Sequence, residues 1–201
     1  MQALATEDSW RAYLADPAWL PHIYEPRSDT LIFAHLPREA QRTLTFLDPR
    51  FVKRDLESEP MSLSGLPLDV IGAEAGPIHF IFHTGFCCST LLARALDIPG
   101  VSMGLKEPSV LVNFAEYWSN SRRTAGALEA LSVTLDLLSR PFTRGEAQIV
   151  KPSITVNHII PQLLHARQDA KAVLLFSSLD TFLRAIARRG LEGRIFARQL
   201  F

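Results

Sequence analysis

The sequence is short of cysteine and has no excess charge of either sign. Its two cysteines, Cys87 and Cys88, are adjacent, which suits neither a disulfide framework nor the spaced pairs that hold zinc. His22, His35, His79, His158 and His165 show no ligand spacing, while His83 stands beside a loop where it either reaches a ligand or is a hydrogen-bonded structural histidine; no metal is expected, and the setting expected is reducing and cytoplasmic. Lys plus Arg equal Asp plus Glu at 21 each, so no global attraction draws the chain to nucleic acid or an anionic membrane. Neither partner is expected, and any anion site must be local. No run of about 18 apolar residues occurs. The first residues carry Glu7, Asp8 and Asp16 and lack a basic stretch followed by an apolar one, so no secretory signal is expected. Internal repeats are absent, and 10 Gly with 13 Pro in 201 residues exclude collagen-like and low-complexity chains.

A hydrophobic fraction of 47% is enough for the core of one ordinary domain. Residues 1–55 read as short helices: Asp8 or Ser9 can cap a segment with Trp10, Tyr13 and Leu14, and Pro37 stands where a helix through Leu44 and Leu47 would start. Residues 55–76, with Pro60, Gly65, Pro67, Gly72 and Gly76, read as a loop and boundary. Residues 1–75 are therefore expected to form a helical extension and linker packed on a main domain, 76–201.

In that main domain, PIHFIF (77–82) has strand length, and LLARALD places Leu91, Leu92, Ala95 and Leu96 on one helical face. Further strands are predicted at 101–105, 148–151 and 171–176. Helices are predicted through Val110, Phe114 and Tyr117, over 124–139, through Val156 to Leu164, and from near Asp180. Strands alternating with helices predict an α/β fold, a parallel sheet with helices on both faces. The last segment presents Ile195, Phe196, Leu200 and Phe201 as an apolar stripe with nothing after it, so the domain is expected to be incomplete at its C-terminus and to self-associate through its last helix.

The chemistry concentrates at Gly85–Thr90, in the turn from the first strand to its helix. Such a turn aims backbone N–H groups and the positive end of the helix dipole at one spot, a ready site for phosphate or sulfate. Ser89 and Thr90 add hydroxyls. Against the Walker pattern, aligning Thr90 with the last position puts His83, Cys88 and Ser89 where Gly, Gly and Lys belong, so a triphosphatase or divergent kinase is the weaker reading.

FIFHTGFCCSTLLARALD resembles instead the phosphosulfate loop of P-loop-fold sulfotransferases, an apolar strand, then G-[RK]-S-G-[ST]-T-x-L and a helix. Gly85, Ser89, Thr90 and Leu92 keep their places; Phe86 stands at the Arg or Lys position, Cys87 at the first Ser and Cys88 at the second Gly. The Lys106–Glu107 pair is similar to the region where heparan-type relatives carry a general base, and Lys151 in IVKPS to the family's lysine in a K-[ST]-P context. AKAVLLFSSLDTFLRAIARRG looks like the strand and helix that hold the donor's 3′-phosphate, with Ser177 or Ser178 at the Arg position and Arg184 or Ala185 near the Ser position. The resemblance covers about residues 77–190.

It implies a P-loop-like architecture and transfer of a sulfuryl group from 3′-phosphoadenosine-5′-phosphosulfate to a hydroxyl or amine on a small molecule or glycan, without a metal. Gly85, Phe86, Cys87, Cys88, Ser89, Thr90, Ser177 and Arg184 would bind the donor. Lys106 or Lys151 would supply positive charge, and Glu107 would take the acceptor's proton. The substitutions in the loop leave a second reading open, a non-catalytic nucleotide- or partner-binding relative that kept the anion cradle. The residues also have plainer readings: surface lysines at strand ends, a helix-capping Glu107, and a solvated basic face for Arg184, Arg188, Arg189, Arg194 and Arg198.

Overall fold

The structure, a computed structural model, describes residues 11, 13–52, 56–120 and 125–199. Four short strands, β4 (Ile78–His83), β5 (Ser102–Lys106), β6 (Ala147–Lys151) and β7 (Ala172–Leu175), form an all-parallel sheet in the order β5-β6-β4-β7, flanked by helices. The chain is thus α/β. Ile78, Phe80, Met103, Leu105 and Val150 are essentially inaccessible, as expected of strands covered by crossovers. Among the described residues, no helix is long and apolar enough to cross a membrane.

The N-terminal part departs from the helical expectation. β1 (Trp19–Glu25), β2 (Thr30–His35) and β3 (Ser58–Ser62) make an antiparallel sheet in that order. Their period is masked because most of β1, from Trp19 to His22 and again at Tyr24, is buried. A strand buried on both faces shows no alternation to read. Pro21 sits where the β1 register shifts, and Pro60 lies on the outer strand β3, the places where a sheet tolerates a missing N–H. The stretch expected as a loop supplies β3 and the helix α2 (Leu68–Glu74). Of the expected early helices, α1 (Arg38–Thr43) starts after Pro37 as predicted but ends at Thr43, short of Leu44 and Leu47, because Leu44 takes an extended ψ of 137°. Residues 13–15 are helical, while the proposed caps Asp8 and Ser9, with Trp10, lie outside the described residues.

The two sheets share one core, in which Leu31 and Phe33 join Ile78, Phe80 and Met103. Arg140 ties them together: its buried guanidinium donates to the carbonyls of Tyr13, Leu14 (2.6 Å), Asp16 and Trp19. Burial, only partly opposed by the Asp16 and Glu74 charges, lowers its pKa to about 10.

The helices of the main sheet follow the predicted periodicity. They are α3 (Ser89–Ala95), α4 (Ser109–Asn120), α5 (Ala125–Leu138), α6 (Ile160–Ala166) preceded by a 3₁₀ segment Ile154–Ile159, α7 (Leu179–Arg188) and α8 (Gly190–Gln199). α3 lies directly on β5, because a Cβ on Gly104 would stand 2.4 Å from the Ala93 carbonyl oxygen. Gly104 therefore sets the position of the helix that carries Ser89 and Thr90. β7 is an edge strand, and Val173, Leu174, Phe176, Leu179, Leu183, Leu191 and Ile195 stay exposed along it and its helices. Phe196, expected on that stripe, is instead partly buried against the loop after β4; Leu200 and Phe201 lie outside the described residues.

Candidate functional site

The turn between β4 and α3 is held in an unusual backbone conformation. Gly85, Phe86 and Cys88 all have positive φ, at 83°, 50° and 63°, and for Phe and Cys that conformation costs about 1–3 kcal/mol each. It lets Cys88 begin α3 while the turn stays concave. His83 braces it: its Nδ1 accepts from the Gly85 N–H at 3.1 Å, which leaves Nε2 to donate to the Pro152 carbonyl at 3.0 Å. That bonding requires the neutral ring. Burial, with the nearby Lys151 charge, lowers the His83 pKa to about 4.

The concave side opens into a cavity of about 530 Å³ that includes Gly85, Ser89, Thr90, Glu107 and Lys151. Lys151, at the carboxyl end of β6, is 1% exposed, pairs with the Glu107 carboxylate and lies 5.2 Å from the Phe46 ring centroid. Burial lowers its pKa, and Glu107 opposes that shift. Glu107 follows β5 in a left-handed conformation, φ 54°, fixed by its N–H donating to the Lys151 carbonyl at 2.7 Å. This is the edge at which parallel α/β sheets place ligands.

Phe86 and Cys88 also line this cavity, whereas Lys106, Ser177, Arg184 and Cys87 fall elsewhere. Lys106 is buried, but its ammonium donates to the Gln41 and Arg42 carbonyls, at 3.1 and 2.8 Å, and does not reach the cavity. The C-terminal carbonyls of α1 lie over the end of β5 and satisfy this cation, while burial pushes its pKa down to about 8. Ser177 lines a separate cavity, and its buried Oγ has no hydrogen-bond partner among the described residues. Arg184 stands on the exposed face of α7, paired at 2.7 Å with Asp180 one helical turn away, and does not line the cavity that Ser177 lines. Cys87 donates through Sγ to the Leu175 carbonyl at 3.4 Å; both cysteines are free thiols.

Two cavity residues carry no sequence signal tied to the loop. Arg50 bonds Asp48, lies 3.8 Å from the Glu107 carboxylate and covers the Phe46 ring. Arg189, at the α7–α8 junction, stacks 4.9 Å from the Phe86 centroid and lines the same cavity. Phe86 also meets Phe182 and Phe196, at 5.7 and 5.0 Å, and so holds the α7–α8 pair over the loop. At the position where the resembling loop carries a cation, this chain has an aromatic ring with a guanidinium on its face. The only hint was Phe86 itself, since Arg189 reads as one of five arginines on a solvated face.

Among the described residues, no three His, Cys, Asp or Glu side chains gather as metal ligands. No family model, curated protein or solved structure matches the chain.

Proposed function

We propose that this chain is a sulfotransferase-like protein with a P-loop-type architecture, whose Gly85–Thr90 loop cradles the phosphosulfate end of 3′-phosphoadenosine-5′-phosphosulfate. The observation that carries the reading is the convergence of the left-handed loop, the Ser89 and Thr90 side chains, buried Lys151 and Glu107 on one cavity. The strand order β5-β6-β4-β7 supports it, because the adjacent strands β4 and β6 send their connections in opposite directions, to β5 and to β7, which opens a crevice at their carboxyl ends.

The residues fit the donor at one end. Loop N–H groups, two hydroxyls, Lys151 and Arg189 suit a phosphate or sulfate group. Ser177 and Arg184 do not fit the 3′-phosphate: one faces a largely apolar cavity, the other a carboxylate on its own helix. The bound donor would supply the transferable sulfuryl group. Lys151 and Arg189 would hold its negative charge, and Glu107 would accept the proton of a hydroxyl or amine on a small-molecule or glycan acceptor. Lys106 has no part in this, being satisfied by α1.

One feature favours the second reading, a non-catalytic anion-binding relative: the Glu107 carboxylate is engaged by Lys151 and flanked by Arg50, so its oxygens already face two cations and not an acceptor. The free thiols support a reducing, cytoplasmic setting. The apolar residues exposed along β7, α7 and α8 support self-association there.

Titration with adenosine 3′,5′-bisphosphate, paired with a transfer assay using sulfur-labelled donor and a panel of alcohols and amines, tests the proposal. Binding with turnover supports the enzyme, binding without turnover the non-catalytic relative, and no binding by any phosphate compound refutes both.

A further inference from the structure

A second cavity, of about 770 Å³, opens on the β7 side of the loop. Its apolar wall is Ile154, Leu174, Phe176, Leu179 and Phe182. Ile154 and Thr155 line both this cavity and the cradle, so the two spaces adjoin across the 3₁₀ segment. Their chemistry differs sharply. The cradle holds Lys151, Arg50 and Arg189, whereas no Lys or Arg is among the described residues lining the second cavity. Its one imidazole, His158, is already bonded to the Ser119 hydroxyl and to the Thr155 and Ala115 carbonyls. The Ser177 hydroxyl, buried in its wall, has no hydrogen-bond partner among the described residues.

A phosphate dianion in such a space would exchange water for apolar wall with no cation in return, whereas an uncharged ring would gain by burial there. A ring edge with nitrogen or oxygen would also give the Ser177 hydroxyl the partner it lacks. Resting on the anion-cradle reading, we infer that the second cavity receives the uncharged planar ring of the ligand whose anion lies in the cradle, and that no site for a second phosphate exists beside it. The ligand class is then a planar heterocycle joined through a short sugar-sized linker to a single phosphate or phosphosulfate group, of which nucleoside 5′-phosphates are the available probes.

Four compounds separate the possibilities on the full chain by calorimetric titration: inorganic phosphate, ribose 5-phosphate, adenosine 5′-phosphate and adenosine 3′,5′-bisphosphate. The expected order has adenosine 5′-phosphate about tenfold tighter than ribose 5-phosphate, and the bisphosphate within about threefold of the monophosphate. Phe176→Ala, at a side chain already largely exposed, should erase the preference for the ring while leaving ribose 5-phosphate unchanged. Ser177→Ala should weaken adenosine 5′-phosphate and the bisphosphate alike, and leave ribose 5-phosphate and inorganic phosphate unchanged. Equal binding of ribose 5-phosphate and adenosine 5′-phosphate would overturn the inference yet leave the cradle standing, as would a bisphosphate about tenfold tighter than the monophosphate. Failure of all four compounds to bind would remove the cradle, and the inference with it.

Discussion

The Lys151–Glu107 pair lends itself to a double-mutant cycle. Lys151 is 1% exposed and the Glu107 side chain 14% exposed, so each charge depends on the other in a poorly solvated place. Breaking a buried pair by removing one partner costs about 3 kcal/mol or more, because the survivor is left unpaired. Arg50, 3.8 Å from Glu107, softens the loss when Lys151 is removed. The opposite deletion leaves an ammonium whose remaining support is the Phe46 ring. Lys151→Met should therefore cost about 2 kcal/mol and Glu107→Gln about 3 kcal/mol, with the double variant less destabilised than their sum by about 2 kcal/mol. Urea unfolding of the four proteins at pH 7, with m-values compared, measures the cycle. Additivity within about 0.5 kcal/mol would refute the claim that the two charges form one buried unit.

Further outcomes follow from individual contacts. Gly104→Ala would push a methyl to 2.4 Å from the Ala93 carbonyl oxygen, so it should cost about 2 kcal/mol in thermal or urea unfolding and weaken phosphate binding by displacing α3. Arg189→Ala should weaken phosphate binding about fivefold, measured by titration, and change stability by less than about 0.5 kcal/mol, since the residue is exposed. His83 has its folded pKa lowered from 6.5 to about 4, so between those values the unfolded chain binds more protons and stability falls as pH drops through the window. Wild type should lose on the order of 2 kcal/mol more than His83→Gln between pH 7 and pH 4, read from urea midpoints at the two pH values.

The strand, turn and helix around the loop were legible because each left its own mark: an apolar run of strand length, Gly85 and then a helical stripe from Leu91. Strand β1 was not, since most of its residues are buried and its period is lost. Lys106 and Lys151 look alike in sequence, each closing a β-strand. What separates them is the overlying structure, α1 carbonyls for Lys106 and Glu107 for Lys151. Ser177 and Arg184 were placed by the shape of a resemblance, and helix phase then turned Arg184 toward Asp180. Arg50 and Arg189 come to the loop from roughly 35 residues before it and 100 residues after it, a juxtaposition that only folding creates.

The central claim is that Gly85–Thr90 and Lys151 form one anion site. Amide chemical shifts followed by NMR during titration with inorganic phosphate test it most directly. The account predicts shifts concentrated at residues 85–90, nearly abolished by Lys151→Ala and retained in Lys171→Ala, where the altered lysine lies at the amino end of β7. Shifts scattered over the basic face of α7 and α8, or equal loss in the two variants, would contradict it.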